Sequence, residues 1–279
     1  MKANTSTETA LVAERCWDGL AETPSGHTEV LVRGGRIVEV GDRVGRGTGQ
    51  VVDLGDRLLL PGFIDCHMHT TVDPSALLTA FVADPATVIT LRALPVLRDL
   101  PDRGFTTVRD LATFAAEPIT IYLRDALANG LIIGPRMLVA PHLISARGAH
   151  GDISTLLAPE YGREIGVLAD GAAALTRAVR EEIRTGADWI KFGAMFPHHR
   201  NWREFPAMVH TGISPLRALR AATSTAADLL QRPDLGRIRP GATADLIAVR
   251  GNPFDDIDAT GGVDFVMHDG VVHRPVAMA

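Results

Sequence analysis

Apolar and polar positions alternate in short runs at both ends of the 279-residue chain. Between Glu29 and Val40, two apolar-rich runs flank Gly34-Gly35, and between Asp264 and His273 two more flank Asp269-Gly270. Glycine adopts positive φ without steric cost, so each pair predicts a tight hairpin turn. Because a lone hairpin is marginally stable in water, we predict that both termini combine into one small β-domain.

The residues between 58 and 236 follow a different pattern, in which apolar runs alternate with stretches of helical spacing. Predicted strands begin at Leu58 and continue, further along the chain, at Thr106–Leu111, Arg136–Pro141 and Asp188–Phe192. Predicted helices between them begin near Asp84-Pro85, Pro118 and Asp170. Strands separated by helices are typical of βαβ units and a parallel sheet.

Prolines and apolar spacing set the expected limits of the helices. Pro95 and Pro101 fall inside the first helix, so we expect it to be kinked or to end early. Ser214-Pro215 is typical of a helix start and predicts one further helix, extending to Leu230. The spacing of one buried helix face recurs after Asp170, at Ala174/Leu175, Ala178/Val179 and Ile183.

Together these patterns predict an α/β protein of two domains. Residues 1–57 and 237–279 are predicted to form a composite β-sandwich domain. Residues 58–236 are predicted to form a partial (β/α) TIM-type barrel of about four strands, inserted between those two parts. The inserted stretch is shorter than the roughly 250 residues typical of an eight-stranded barrel.

Composition narrows the classes of function. Hydrophobic residues make up 46% and charged residues 22% of the chain, as in ordinary globular proteins. The net charge is −5 and no basic cluster is present, so we expect no nucleic-acid partner. No apolar run suggests a membrane span or a secretory signal. With Cys16 and Cys66 as the two cysteines, we expect a reducing, cytoplasmic location.

Candidate chemistry begins at the end of the first predicted barrel strand. His67 and His69 are two residues apart, and side chains at that spacing lie on the same face of a strand. Histidine is the commonest metal ligand, so the pair predicts a metal site.

Several segments, in the same order along the chain, resemble one known family. They include P-G-F-I-D-C-H-M-H at 61–69, G-F-T-T-V-R-D-L at 104–111, G-A-D-W-I-K at 186–191 and G-N-P-F-D-D-I at 251–257. These segments resemble the Xaa-Pro dipeptidase-like and imidazolonepropionase-like branch of the amidohydrolase superfamily.

The resemblance implies a hydrolase that uses a divalent metal, expected to be zinc, with one or two ions. The implied ligands are His67, His69 and Lys191, the last after carboxylation by CO2. A carbamate offers two oxygens, which can bridge metals roughly 3.5–4 Å apart; the alternative is a lysine that reaches from the strand end to solvent. His150, in the G-A-H-G-D loop, is a candidate for substrate binding, or else a solvated loop histidine.

The resemblance also implies two later histidines and a late aspartate, each at the end of a barrel strand. The histidines after Lys191 do not follow that pattern: they are His198, His199, His210, His268 and His273. The stretch His199–Phe205 resembles family sequence beyond the last barrel strand. We therefore predict that an internal block, carrying the second half of the barrel, is missing, and the catalytic residues stay unassigned.

Two functions remain open. One is a metal-dependent amidohydrolase that cleaves an amide C–N bond by metal-activated water, in an Xaa-Pro dipeptide or an N-acyl amino acid. The other is a degenerate, non-enzymatic relative with at most a vestigial metal site. The expected partner is a small-molecule amide or dipeptide substrate, and we expect no membrane partner. We also expect a homo-oligomer or an aggregation-prone chain, because an incomplete barrel has exposed strand edges.

Overall fold

The computed structural model describes residues 8–47, 49–72, 84–113, 115–149, 151–152, 166–192, 201–210 and 212–275. Its strands are β1 (Glu8–Ala13), β2 (Arg15–Cys16), β3 (Thr28–Arg33), β4 (Arg36–Gly41), β5 (Gln50–Asp53), β6 (Leu58–Pro61), β7 (Phe63–Met68), β8 (Phe105–Leu111), β9 (Arg136–Ala140), β10 (Leu143–Ser145), β11 (Val167–Leu168), β12 (Lys191–Phe192), β13 (Leu246–Val249), β14 (Val263–His268) and β15 (Val271–Arg274).

The helices are α1 (Ala86–Asp102), α2 (Ile119–Ala128), α3 (Gly171–Thr185), α4 (Glu204–His210), α5 (Pro215–Ala221) and α6 (Ser224–Leu229). Two 3-10 helices cover Asn201–Arg203 and Ile257–Gly261. This mixture confirms the predicted α/β class. Within the described ranges, none of the helices is both long and apolar enough to span a bilayer.

The chain divides into two compact units. The terminal unit comprises Met1–Asp65, Asp99–Thr107 and Arg200–Ala279, and the middle unit comprises Cys66–Arg98 and Val108–His199. The domain limits that the sequence suggests, 1–57 with 237–279 and 58–236, stay predictions.

Two sheets build the terminal unit. One has the strand order β4-β3-β1-β5, and the other has the order β15-β14-β13-β6-β2. In the second sheet β6 pairs antiparallel with β13, with Leu60 opposite Ile247. Strands from both ends of the chain therefore share one hydrogen-bonded sheet.

The two sheets also share one hydrophobic core, because alternate residues of each strand point into it. Leu11 and Val30 come from the first sheet, and Leu59, Leu246 and Phe265 from the second; all five are completely buried. At roughly 1.5–3 kcal/mol for each buried large apolar side chain, this shared core holds the two ends of the chain together.

Both predicted hairpin turns form, and they meet at Ala244. Gly35 has a φ of 77° and Gly270 a φ of 75°, which glycine tolerates without strain. The amide of Ala244 donates to the Gly35 carbonyl across 2.9 Å, and the Gly270 amide donates to the Ala244 carbonyl across 3.0 Å. The N-terminal and C-terminal hairpins are thereby connected through one residue.

The middle unit contains a parallel sheet of order β11-β10-β12, and strand β9 of a sheet of order β7-β8-β9. Helix α3 covers the first of these sheets: Ala178 packs with Ile144 of β10 and Ala169 in one buried cluster. Strands β7 and β8 begin in the terminal unit and end in the middle unit.

The four predicted barrel strands do not lie in one sheet within the described residues. The fourth, predicted over Asp188–Phe192, is reduced to Lys191–Phe192 and pairs with β10. Asp188 explains the late start, because its carboxylate accepts the amide of Val139 across 2.9 Å. A side chain that bonds the backbone competes with regular pairing.

The structure contradicts an early end of the first predicted helix and a single helix from Ser214 to Leu230. Helix α1 does not end early but continues through Pro95 to Asp102. The side chains of Ile89, Ala93 and Leu97 are buried on one face, and this burial offsets the backbone hydrogen bond that a proline cannot donate. The helix expected from Ser214 to Leu230 is instead two helices, α5 and α6. The break follows from Thr223, whose backbone leaves the helical region with φ −133° and ψ −99°.

The buried face of α3 differs from the prediction near the C-terminal end of the helix. Ala174 and Val179 pack as predicted, but Ile183 is 61% exposed, whereas its neighbour Glu182 is 3% exposed. The charged residue is buried because it pairs with His142, as described below.

We expect Gly35→Ala to destabilise the protein more than Gly241→Ala. Both glycines have positive φ, 77° and 86°, so each alanine costs roughly 1–2 kcal/mol in backbone strain. A Cβ on Gly35 would also lie 2.8 Å from the carbonyl oxygen of Asp269, a backbone atom that cannot move alone, whereas a Cβ on Gly241 meets no described atom within 4 Å. Urea unfolding measures both variants; equal losses would show that the hairpin contact is unimportant.

Candidate metal centre

The candidate centre starts at the C-terminal end of β7. His67 is half-buried and His69 is 6% exposed, and their ring centroids lie 5.5 Å apart with the ring planes at 62°. This proximity follows from the strand, since residues two apart project to the same side.

The hydrogen bond of His69 decides its tautomer. Its Nδ1 lies 3.1 Å from the carbonyl oxygen of Ala112. A carbonyl oxygen only accepts, so in the neutral ring Nδ1 carries the proton and Nε2 carries the lone pair. That is the tautomer in which Nε2 can ligate a metal.

Ala112 is held in an unusual backbone conformation. It is buried and has a φ of 116°, a backbone conformation that residues other than glycine seldom adopt. The strained residue is the one whose carbonyl oxygen orients His69, and such strain is found where surrounding contacts over-determine a functional geometry.

Asp110 holds the chain just beyond the second histidine. It is fully buried, and its Oδ2 accepts both the amide and the hydroxyl of Thr70, each across 2.6 Å. The contact with Thr70 gives it a role in fixing the end of β7.

Lys191 lies beside His67. Its Nζ lies 3.3 Å from His67 Nε2, and a lysine ammonium, which only donates, pairs with the tautomer that has its lone pair on Nε2. Burial, and after it the positive charge of Arg109, lower the pKa of Lys191 below its usual value. The structure thus brings together the three residues that the resemblance implies as ligands.

Arg109 is a neighbour of the centre whose position the sequence did not predict. Its Nε donates to the carbonyl of Cys66 across 2.8 Å, and its guanidinium carbon lies 4.6 Å from the ring centroid of Trp189. In the sequence, the feature that could have indicated this position is that Arg109 lies near the end of the predicted strand Thr106–Leu111, as the residues of the centre lie near the ends of theirs.

A buried pair lies elsewhere in the middle unit. His142 Nδ1 is 2.8 Å from Glu182 Oε1, and His142 Nε2 is 3.2 Å from the carbonyl oxygen of Ala116. His142 and Glu182 are 9% and 3% exposed. This pair connects α3 to the segment between β9 and β10.

Five further histidines bear on the sequence predictions. His150, the candidate for substrate binding, lies outside the described residues, as do His198 and His199. His268 Nδ1 lies 3.0 Å from Asp245, and His273 belongs to β15; both are in the C-terminal hairpin, as the sequence predicts.

Comparison with known proteins identifies the family. A sequence profile described as the Amidohydrolase family matches residues 58–202 and 193–276. The chain belongs to the amidohydrolase family. The two matched segments meet at 193–202, just after Lys191, which is where the sequence predicts that family sequence is interrupted.

Ochratoxinase from Aspergillus niger is a relative of this amidohydrolase, with 32% identity over 151 residues. The alignment covers 48% of this chain and 30% of the ochratoxinase, so the chain matches less than a third of the length of that relative.

Solved structures show the same fold at lower identity. A Xaa-Pro dipeptidase with methionine bound in its active site has a TM-score of 0.84 at 21% identity, over 96% of this chain and 100% of that chain. A prolidase complexed with N-methylphosphonate-L-proline has a TM-score of 0.79 at 23% identity, over 96% and 100%. The A. niger ochratoxinase has a TM-score of 0.78 at 19% identity, over 99% and 98%.

The donor atoms of the candidate centre in this amidohydrolase include two imidazole nitrogens, a ligand type that zinc binds. Two imidazoles have their lone pairs on Nε2, and Lys191 adds a donor once its amine is uncharged or carboxylated. Among histidine, cysteine, aspartate and glutamate alone, the described residues contain no group of three or more that could hold a metal. Lys191 is therefore the residue on which a three-ligand site depends.

We expect Glu182→Ala to lower the free energy of unfolding by about 3 kcal/mol, because His142 would stay buried without its carboxylate partner. The matched control is Glu181→Ala in the same helix. Glu181 pairs with Arg184 on the exposed surface, so its loss should change stability far less. Thermal and urea unfolding measure both. Similar losses for the two variants would contradict the importance assigned to the buried pair.

Proposed function

We propose that this chain is a metal-dependent hydrolase that cleaves an amide C–N bond, with an Xaa-Pro dipeptide or an N-acyl amino acid as substrate. The observation that carries the proposal is the convergence of His67, His69 and Lys191, with Lys191 Nζ 3.3 Å from His67 Nε2. Membership of the amidohydrolase family supports the reaction class. The dipeptidase, prolidase and ochratoxinase folds support the kind of substrate.

In this proposal His67 and His69 hold a divalent metal, expected to be zinc, through their Nε2 atoms. Lys191, carboxylated by CO2, supplies an anionic ligand that one or two metal ions could share. When bound, the metal would supply Lewis-acid activation of water and of the substrate carbonyl. Ala112 keeps the His69 tautomer, and Asp110 keeps the end of β7 in place. His150 is proposed to contact the substrate.

The proposed fold is a partial (β/α) barrel of residues 58–236, inserted in a β-sandwich of residues 1–57 and 237–279. Support for the sandwich comes from the two sheets of the terminal unit, which share one core. Support for the incomplete barrel comes from the two matched profile segments that meet after Lys191.

A second function is favoured by one observation. The sequence match covers only 30% of the ochratoxinase, and the family's late aspartate has no counterpart that the sequence identifies. A chain without that general base would be a degenerate relative that binds metal but does not hydrolyse amides. General-base catalysis contributes roughly 10²–10⁴-fold in rate, so its loss would leave little activity.

Zinc binding is the first test. We expect His67→Asn and His69→Asn each to weaken zinc binding by at least about tenfold, because even changes around a metal ligand cost 10–100-fold in affinity. Isothermal titration with zinc chloride measures the effect. His27→Asn is the control, since His27 lies on the terminal unit and its side chain is 43% exposed. Unchanged affinity in both site variants would reject the metal assignment.

Hydrolysis is the second test, with zinc and bicarbonate added to Xaa-Pro dipeptides and N-acyl amino acids. We expect turnover that falls by about 1,000-fold in His69→Asn, since Lewis-acid catalysis contributes several kcal/mol. Chromatographic detection of the released amine provides the rate. Zinc binding without turnover of any substrate would establish the degenerate relative instead.

Self-association follows from the strand edges. Among the described strands, β7 and β12 each lie at the edge of a sheet, and Phe192 of β12 is 54% exposed. We propose that two copies pair along such edges, and we expect light scattering during size-exclusion chromatography to give twice the 29.8 kDa chain mass. Phe192→Lys should favour the monomer, whereas Leu131→Lys, at an exposed loop residue, should not. A monodisperse wild-type monomer would contradict this proposal.

A further inference from the structure

Arg109 is held between the two segments that carry the proposed ligands. Its Nε donates to the carbonyl of Cys66, the residue before His67, across 2.8 Å. Its guanidinium carbon lies 4.6 Å from the ring centroid of Trp189, two residues before Lys191. A hydrogen bond on one side and a cation–π contact on the other fix the position of this positive charge.

Both contacts of Arg109 lie close along the chain to a proposed ligand. Cys66 immediately precedes His67, whose Nε2 is 3.3 Å from Lys191 Nζ, and Trp189 is two residues before Lys191. A fixed cation disfavours a second cation nearby and favours an anion in the same place. A carboxylated Lys191 is such an anion, whereas an unmodified lysine is at most neutral.

We infer that Arg109 is a positioning residue of the candidate centre, a fixed cation that stabilises the carbamate anion of carboxylated Lys191. This inference rests on the proposed function and adds a residue to it. A carbamate next to two imidazoles also needs its charge balanced before a metal binds, and Arg109 supplies that balance.

The modification itself needs only dissolved CO2, in equilibrium with bicarbonate. The lone pair of the neutral Lys191 amine forms a C–N bond to the carbon of CO2. One C=O π pair moves to oxygen, and the nitrogen loses one proton to water. The side chain changes from a neutral amine to an anion of charge −1, and no oxidant or reductant takes part.

A purely structural role makes a different prediction. If Arg109 only connects Cys66 to Trp189, a neutral side chain that keeps a donor for the Cys66 carbonyl should preserve the carbamate. Arg109→Gln is that variant. Arg109→Lys is its counterpart, because it keeps the charge but loses the planar group that stacks on Trp189.

The test is ¹³C NMR of the full chain with ¹³C-bicarbonate and zinc chloride, following the carbamate signal as bicarbonate increases. Lys191→Ala identifies the signal by its absence. We expect Arg109→Gln to need about tenfold more bicarbonate than wild type for half-maximal carbamate, as for loss of a unit charge acting through an effective dielectric of about 20. Arg109→Lys should stay within about threefold of wild type, since its charge remains.

The outcomes separate this inference from the proposed function. A wild-type carbamate with an unchanged bicarbonate requirement in Arg109→Gln would overturn the role of Arg109 and leave Lys191 as a ligand. No carbamate in wild type at any bicarbonate concentration would overturn both. Should Arg109→Gln fail to fold, Trp189→Leu is the second variant: it leaves the charge but removes its support, and an unchanged bicarbonate requirement there also counts against the inference.

Discussion

The candidate centre depends on the extended backbone at the end of β7. Extension places His67 and His69 on one side of the chain, and a helical turn at the same residues would separate them. The β8 strand keeps this geometry in place, because Asp110 receives the amide and hydroxyl of Thr70 and Arg109 donates to the carbonyl of Cys66. Since these contacts order the imidazoles before any ligand arrives, little conformational entropy is left to lose on binding.

Burial of polar groups in the middle unit is matched by specific partners. His69 has the Ala112 carbonyl, and His142 has both Glu182 and the Ala116 carbonyl. Taking such groups out of water without a partner would cost several kcal/mol each. The carbonyl that faces His69 belongs to Ala112, whose φ of 116° lies in the region that residues other than glycine seldom adopt.

Local patterns in the sequence were enough to predict the hairpins and the histidine pair. Gly34-Gly35 and Asp269-Gly270 predict their turns because glycine readily adopts the positive φ that a tight hairpin requires. His67 and His69 are two residues apart, and side chains at that spacing in a strand lie on the same face. The errors have another origin. Asp188 bonds Val139, and Glu182 turns inward towards His142, so a distant partner overrides the local pattern. The break at Thr223 and the position of Arg109 beside Trp189 likewise depend on tertiary contacts that no window of sequence contains.

The pairing of β6 with β13 has a consequence for the order of events during synthesis. Residues 58–61 cannot complete their sheet until residues 246–249 have left the ribosome. Throughout that interval the apolar residues of β6 have no neighbour on that side, while β9 to β12 of the middle unit are already available to pair. The sheet β4-β3-β1-β5 can form early, whereas the sheet β15-β14-β13-β6-β2 is completed only after the middle unit has been synthesised.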